Sequence, residues 1–375
     1  MMKWLKYIVP ASLFVLVFAV SAIFMGHTLM RQEALGLFLL TPDWFREVFA
    51  EPFPLSHIVG GFLVQFYRLP LAGPLITALL VVAVYCMSER VHRLFEAPEF
   101  PAALFAGIVW FLSATLDKVS FLPAVLLMML PIWLVSLLFQ PKPSAVRKPS
   151  FVLLPLAAVL AAAIVIAVNP TVRSNERWSI VEDATRQHQW SKVLKVATPE
   201  TVSKDREMLP YALLALNAQG KLLQSMERYG ASSPEDLDQA GVQTRRGYFF
   251  ESVLYEVLGC PQESIHLMFQ SACHLPHGTS FMTLRQLIRY NIETGNYTMV
   301  RKYCGILGRS PVNRSTARSI MAMYGDREDV VRDEPADSAA TITNNPIFNL
   351  IVLDRQGIRS DIATDRFNAY SLVAR

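Results

Sequence analysis

The chain has no long apolar run after Val168. Cysteine is scarce, with four residues in 375 and no close pair among them. The first lack confines any lipid-embedded part to the front of the chain. The second excludes a disulfide framework of the kind that staples small secreted domains. A Gly-Lys-Ser/Thr phosphate loop, a Gly-x-Gly-x-x-Gly helix opening and a Gly-x-Ser-x-Gly elbow are all missing, which removes the commonest nucleotide-binding and hydrolase signatures. Charged residues make up only 18%, with a net charge of +4. No basic surface interleaved with aromatics points to nucleic acid, so no nucleic-acid partner is expected. Persuasive alternation of apolar and polar residues is absent as well, and the expected fold class is all-α.

What is present is concentrated in front. Five apolar stretches, Tyr7–Met30, Leu71–Met87, Ala102–Leu116, Val119–Phe139 and Phe151–Val168, read as a multi-span transmembrane helical bundle, since a crossing takes about 20 residues. Asp117 and Lys118 separate the third and fourth stretches and read as the tip of a helical hairpin at the membrane surface. Val20-Ser21-Ala22 has the small residues of a cleavage site, but the apolar run continues through Ile23, Phe24 and Met25, so the first stretch reads as a retained span. The stretches hold no Asp, Glu, Lys or Arg, which disfavours an ion-coupled transporter.

Sidedness follows from the basic residues. Five crossings collect Lys3, Lys6, Arg90, Arg93, Lys142, Arg147 and Lys148 on one side, and Arg31, Arg46, Arg68 and Lys118 on the other. The positive-inside rule makes the first side, with the N-terminus, cytoplasmic. The part after Val168 then lies outside, which in a Gram-negative inner membrane is the periplasm. Phe53–Tyr67 is apolar but short; if it crossed, the sides would reverse. Residues 42–69 are therefore expected to be interfacial or re-entrant. Within them Trp44, Phe45, Val48 and Phe49 fall opposite Asp43, Glu47 and Glu51, the pattern of a short amphipathic helix lying on the outer surface.

The back of the chain is helical by periodicity. Phe250, Val253, Leu254, Val257 and Leu258 follow one helix face, as do Ile265, Met268, Phe269 and Ala272. Tight turns recur at roughly 30 to 40 residues: His188-Gln-Trp190, Gly220-Lys-Leu222, Gly259-Cys-Pro261 and Gly295-Asn-Tyr297, with a weaker fifth at Gly325-Asp-Arg327. Glycine suits the left-handed residue that ends a helix. The spacing resembles the tetratricopeptide repeat, over about Asn175 to Val330. That resemblance implies an α-solenoid holding a protein partner in its groove. The domains expected are a transmembrane domain over 1–170 and a soluble, tetratricopeptide-like domain over 171–375. In the latter, an acidic stretch, Arg332–Ala340, precedes an apolar run, Ile347–Leu353, and a final helix, Asp361–Val373, which together cap the last repeat.

A second resemblance rests on Gly61-Phe-Leu-Val-Gln65-Phe66-Tyr67, Pro70, Gly73, Gly295-Asn-Tyr297 and Arg301-Lys302-Tyr303. With these residues the chain resembles an uncharacterised family of bacterial multi-span membrane proteins with a tetratricopeptide-like back. Where that family has Pro-Gly-Gly, this chain has Ile58-Val59-Gly60-Gly61.

Two constellations bear on chemistry. Cys273, His274 and His277, with His266, are the densest set of soft ligands, but zinc needs four at matching spacing. They read as a helix end running into a loop, and no metal or cofactor is expected. Asp43, Glu47 and Glu51 would be the acids of a glycosyltransferase-like enzyme acting on a lipid-linked sugar, although general acid–base work needs a positioned partner. No catalytic residue is assigned. The favoured reading is a membrane-anchored helical-repeat protein with membrane lipid and a protein as partners, in envelope assembly or polysaccharide export.

Overall fold

The computed structural model describes residues 5–95, 100–139, 150–237, 242–330, 349–352 and 360–373, with no strand among them. The acidic stretch 332–340, most of the run 347–353, and Lys3, Lys142, Arg147 and Lys148 lie outside the described residues. Two compact units divide the chain, Met1–Ser179 and Ile180–Arg375.

Unit one contains α1 (Leu5–Phe24), α2 (Gly26–Leu35), α3 (Pro42–Phe49), α4 (Pro54–Val64), α5 (Ala72–Leu94), α6 (Phe100–Leu116), α7 (Phe121–Leu137), α8 (Ser150–Val168) and the start of α9 (Pro170–Arg186). Helices α1, α5, α6 and α8 close a ring in which each packs on two neighbours. Its inside combines small residues with larger ones, and Leu13, Val81, Tyr85, Trp110 and Ile166 are all fully buried there. Ala102, Ala103 and Ala106 are fully buried, and a Cβ on Gly107 would sit 3.1 Å from that of Ala162. Large apolar side chains point outward, among them Val15, Leu79, Ile108, Leu160 and Ile164. Soluble proteins rarely expose apolar surface so continuously, whereas helices packing in lipid put small residues between them.

Two helices, Tyr7–Phe24 and Ala72–Leu94, are long and apolar enough to cross a membrane. Leu153–Val168 taken with Pro170–Arg186, bent by 51°, makes a third candidate. This is fewer than the five crossings expected, because α6 and α7 have only 17 residues each, about 25 Å of helix.

The first stretch also breaks where a continuous helix was expected. Met25 leaves helical geometry (φ −138°, ψ 9°), and α2 starts afresh at Gly26. Such a start exposes backbone N–H groups that have no partner within the helix. Here the Glu176 carboxylate of α9 takes them. It accepts from the His27 N–H at 2.9 Å, the Thr28 N–H at 2.8 Å and the Thr28 hydroxyl at 2.8 Å, with the His27 Nδ1 at 2.9 Å. Burial alone would raise this carboxyl, but these bonds hold it below the usual glutamate range. Asp117 is the turn residue after α6, in left-handed geometry. It binds Arg31, and accepts from Gln32 at 2.6 Å. The two helices it joins do not form the expected tight hairpin: α6 lies mainly on α8 and α5, and α7 on α5 and α4.

Unit two holds the end of α9, then α10 (Trp190–Val196), α11 (Pro199–Lys204), α12 (Leu209–Asn217), α13 (Leu222–Ser225), α14 (Arg245–Val257), α15 (Pro261–Cys273), α16 (Phe281–Thr294), α17 (Tyr297–Leu307), α18 (Arg314–Tyr324) and α19 (Asp361–Val373). All four principal turns have the left-handed residue that their sequence calls for: φ is 55° at His188, 65° at Gly220, 86° at Gly259 and 77° at Gly295. Each closes a Schellman pair. The outer bonds run from Gln189 to Ala184, Lys221 to Leu216, Cys260 to Tyr255 and Asn296 to Asn291, at 2.8–2.9 Å. Inner bonds link 188 to 185, 220 to 217, 259 to 256 and 295 to 292. The fifth turn differs, since Gly325 stays right-handed at φ −65°.

From α14 to α18 each helix packs on the next. Side-chain caps fix where several begin. Thr244, Ser280 and Asn296 each accept from the N–H three residues on, at 3.1 Å. The earlier part is less regular, and a regular solenoid does not describe it. Helix α13 is a single turn, and all nine residues of α12 are buried. The expected final helix forms over Asp361–Val373, but it does not cap α18. It packs on α13 and α12, where Asn217 Nδ2 donates to the Ile362 carbonyl at 3.1 Å. The reason is burial: α12 is apolar on every side, and each Leu withdrawn from water contributes about 1.5–3 kcal/mol.

Candidate functional site: a buried carboxylate in the second unit

One polar constellation among the described residues of unit two is centred on Glu256, at the end of α14. Its side chain is 9% exposed and faces Arg289 of α16 at 2.6 Å. The Tyr290 hydroxyl donates to it at 2.9 Å, and the His188 Nε2 lies 3.3 Å away. Glu293, one turn beyond Arg289, extends the set toward solvent, 3.9 Å from the Arg289 Nε. Partial burial, aided by the Glu256 charge and opposed by Arg289 and His188, pushes the Glu293 carboxyl above its ordinary range. The His188 ring stacks on Trp190, centroids 5.1 Å apart and planes 13° from parallel.

His188 reaches this place because the first turn has histidine where the other three have glycine. A non-glycine residue in left-handed geometry is strained by about 1–2 kcal/mol. A second buried carboxylate, Glu182 of α9, accepts from Arg245 at 2.7 Å and Arg246 at 2.8 Å at the start of α14. Glu182 thus ties the start of α14 to α9, and Glu256 ties its end to Arg289 and Tyr290 of α16.

The hydroxyl beside the Glu256 cluster, on Ser252, is fully buried and donates to the Ser264 carbonyl at 2.9 Å. Toward solvent the cluster offers a cation on Arg289, an anion on Glu293 and the aromatic face of Trp190. Sequence reasoning placed His188 in its turn but missed Glu256, Arg289 and Glu293. The legible signals were the Arg289–Glu293 pair one helical turn apart and the non-glycine residue in a glycine position.

The residues singled out for chemistry are not assembled. Asp43, Glu47 and Glu51 are all exposed, and Asp43 is paired with Arg46 at 3.0 Å. His266, Cys273 and His274 are exposed, and His277 is half-buried. Among the described residues no three His, Cys, Asp or Glu side chains gather as a metal site would require.

The resemblance motifs, by contrast, explain packing. A Cβ on Gly60 would stand 2.9 Å from the Val119 carbonyl, and one on Gly61 would stand 3.3 Å from the Phe38 ring. A Cβ on Gly73 would stand 3.1 Å from the Leu29 side chain and 3.3 Å from the Tyr67 ring. Gly295 accepts from the Val330 N–H at 3.0 Å. Arg301 donates to the carbonyls of Gly325 and Arg327, at 3.1 and 2.9 Å. Arg327 in turn lies over the Tyr297 and Tyr324 rings. These residues hold helices and a strap of backbone in place.

Together these features define an all-helical protein of two units, with candidate membrane helices in the first. Residues 1–181 and 170–341 match a family of unknown function (DUF6057), and the chain belongs to that family. No curated protein and no solved structure matches it.

Proposed function

We propose that the protein is a membrane-anchored helical-repeat protein of the bacterial inner membrane that presents a periplasmic protein-binding surface. The observation that carries this reading is the contrast between the units. The first turns large apolar side chains outward along the length of its helices. The second is a set of packed helices in which Arg289, Glu293 and Trp190 reach solvent beside a buried carboxylate. The basic residues Arg90 and Arg93, with Lys3, Lys6, Lys142, Arg147 and Lys148, support a cytoplasmic N-terminus. Envelope assembly or polysaccharide export is the physiological setting in which such an anchor would act. The lipid-linked-sugar enzyme has less support, because its three acids stand apart on open surface.

A photo-crosslinking residue placed at Trp190 or at Glu293 tests the reading in living cells. A protein adduct of one discrete mass is expected at both positions, and it should disappear when Arg289 is replaced by Glu. Labelling no greater than at the exposed position Glu200 would contradict it.

A further inference from the structure

The α3–α4 corner carries an apolar surface with an unusual orientation. Leu55, Val59 and Phe62 form one stripe of α4 and are 58%, 39% and 42% exposed. The opposite face buries Ser56, Gly60 and Val64. The bulkier apolar side chains of this helix therefore face out, the reverse of a water-facing helix. Phe49 and Phe53, at the corner itself, are also exposed, at 59% and 64%. Trp44 and Val48 of α3 are buried instead, with Trp44 against Phe38. The apolar face that the sequence assigned to a surface-lying α3 is thus largely used inside the protein, and α4 carries the outward one.

Two observations fix the depth. Gly60, in the middle of α4, lies against Val119 and Ser120, next to Asp117 and Lys118 in the turn between α6 and α7. A turn bearing those charges sits at the membrane surface, since burying either one at mid-bilayer costs at least about 2.5 kcal/mol. Asp43, Arg46, Glu47 and Glu51 lead into α4 and are exposed, so its leading end does not enter the hydrocarbon either. With 11 residues, α4 spans about 16 Å, half of the roughly 30 Å layer.

We propose that α4 lies flat in the headgroup–acyl boundary of the leaflet that the α6–α7 turn reaches. Leu55, Val59 and Phe62, with Phe49 and Phe53, dip into the acyl chains of that leaflet. Its partner is the lipid surface, continuous with the exposed apolar side of α7, on which α4 packs. This assignment rests on the membrane reading of unit one and excludes a re-entrant path for the same helix.

Nitroxide depth measurements on the full chain, in nanodiscs of phosphatidylethanolamine and phosphatidylglycerol at three to one, test it. Labels go at positions 55, 59 and 62, at Val15 in the middle of α1, and at Glu47, after the four native cysteines are replaced by serine. Oxygen should relax the labels at 59 and 62 more than a water-soluble nickel chelate does, at a depth of about 5–10 Å. The label at 15 should lie deeper, and the label at 47 should be open to nickel. Labels at 59 and 62 as deep as the one at 15 would show re-entry and overturn the proposal. Nickel access at 59 and 62 with position 15 protected would overturn it while leaving the membrane reading intact. Protection from both reagents would show that protein covers the stripe, again overturning it. Nickel access at 15 would remove the membrane reading and the proposal together.

Discussion

His188 and Gly295 show how one backbone angle sorts residues. Both are left-handed, but a Cβ at 295 would also meet the Val330 side chain at 2.7 Å, whereas at Gly220 nothing lies within 4 Å. Replacing Gly220 by Ala should therefore cost only the conformational strain, about 1 kcal/mol. Gly295→Ala should cost clearly more, as strain and crowding add. Position 188 should keep the same order: His188→Gly removes strain and should leave a protein about 1 kcal/mol more stable than His188→Ala. Denaturant unfolding in detergent, followed by circular dichroism, measures all three. An Ala variant at 188 as stable as the Gly variant would show that the angle is not strained. These positions were legible because a left-handed residue leaves a mark on composition, glycine three times out of four. The cluster around Glu256 left no such mark, since its members come together from three separate segments.

At the scale of the element, the start of α2 depends on one carboxylate. Glu176 has its folded pKa lowered, so its contribution is present above the ordinary glutamate value of about 4.3 and is lost as pH falls through and below it. Stability should decline below about pH 5, and Glu176→Gln should flatten that decline while costing roughly 1–2 kcal/mol at neutral pH. An unaltered acid profile in the variant would assign the decline to other groups. The break itself was not legible. Apolar residues run straight through Ile23, Phe24 and Met25, and the carboxylate that accepts the freed N–H groups lies 149 residues away. Periodicity reports local geometry, and a partner so distant is invisible to it. For the same reason the final helix was found from its sequence, but its neighbour was not.

The whole molecule makes a prediction about sides. Alkaline phosphatase joined after Arg375 should be active in cells, and the same enzyme joined after Phe95 should be inactive, because export is needed for its activity. The opposite pattern would place unit two in the cytoplasm. The architecture was readable at this scale because two chemical regimes meet near Val168 and Pro170. Helix lengths were not, since apolar composition alone does not say where a helix stops.

The contact between Asn217 and Ile362 joins residues 145 positions apart, and it dates the maturation of unit two. During synthesis α12 emerges long before the segment that covers it. For that interval Leu209, Leu213, Leu214 and Leu216 lack one wall of their shelter, and uncovered apolar surface of this kind invites aggregation. A ribosome that stalls before Ile362 leaves behind a sticky intermediate, so α19 acts as the seal on the unit's centre.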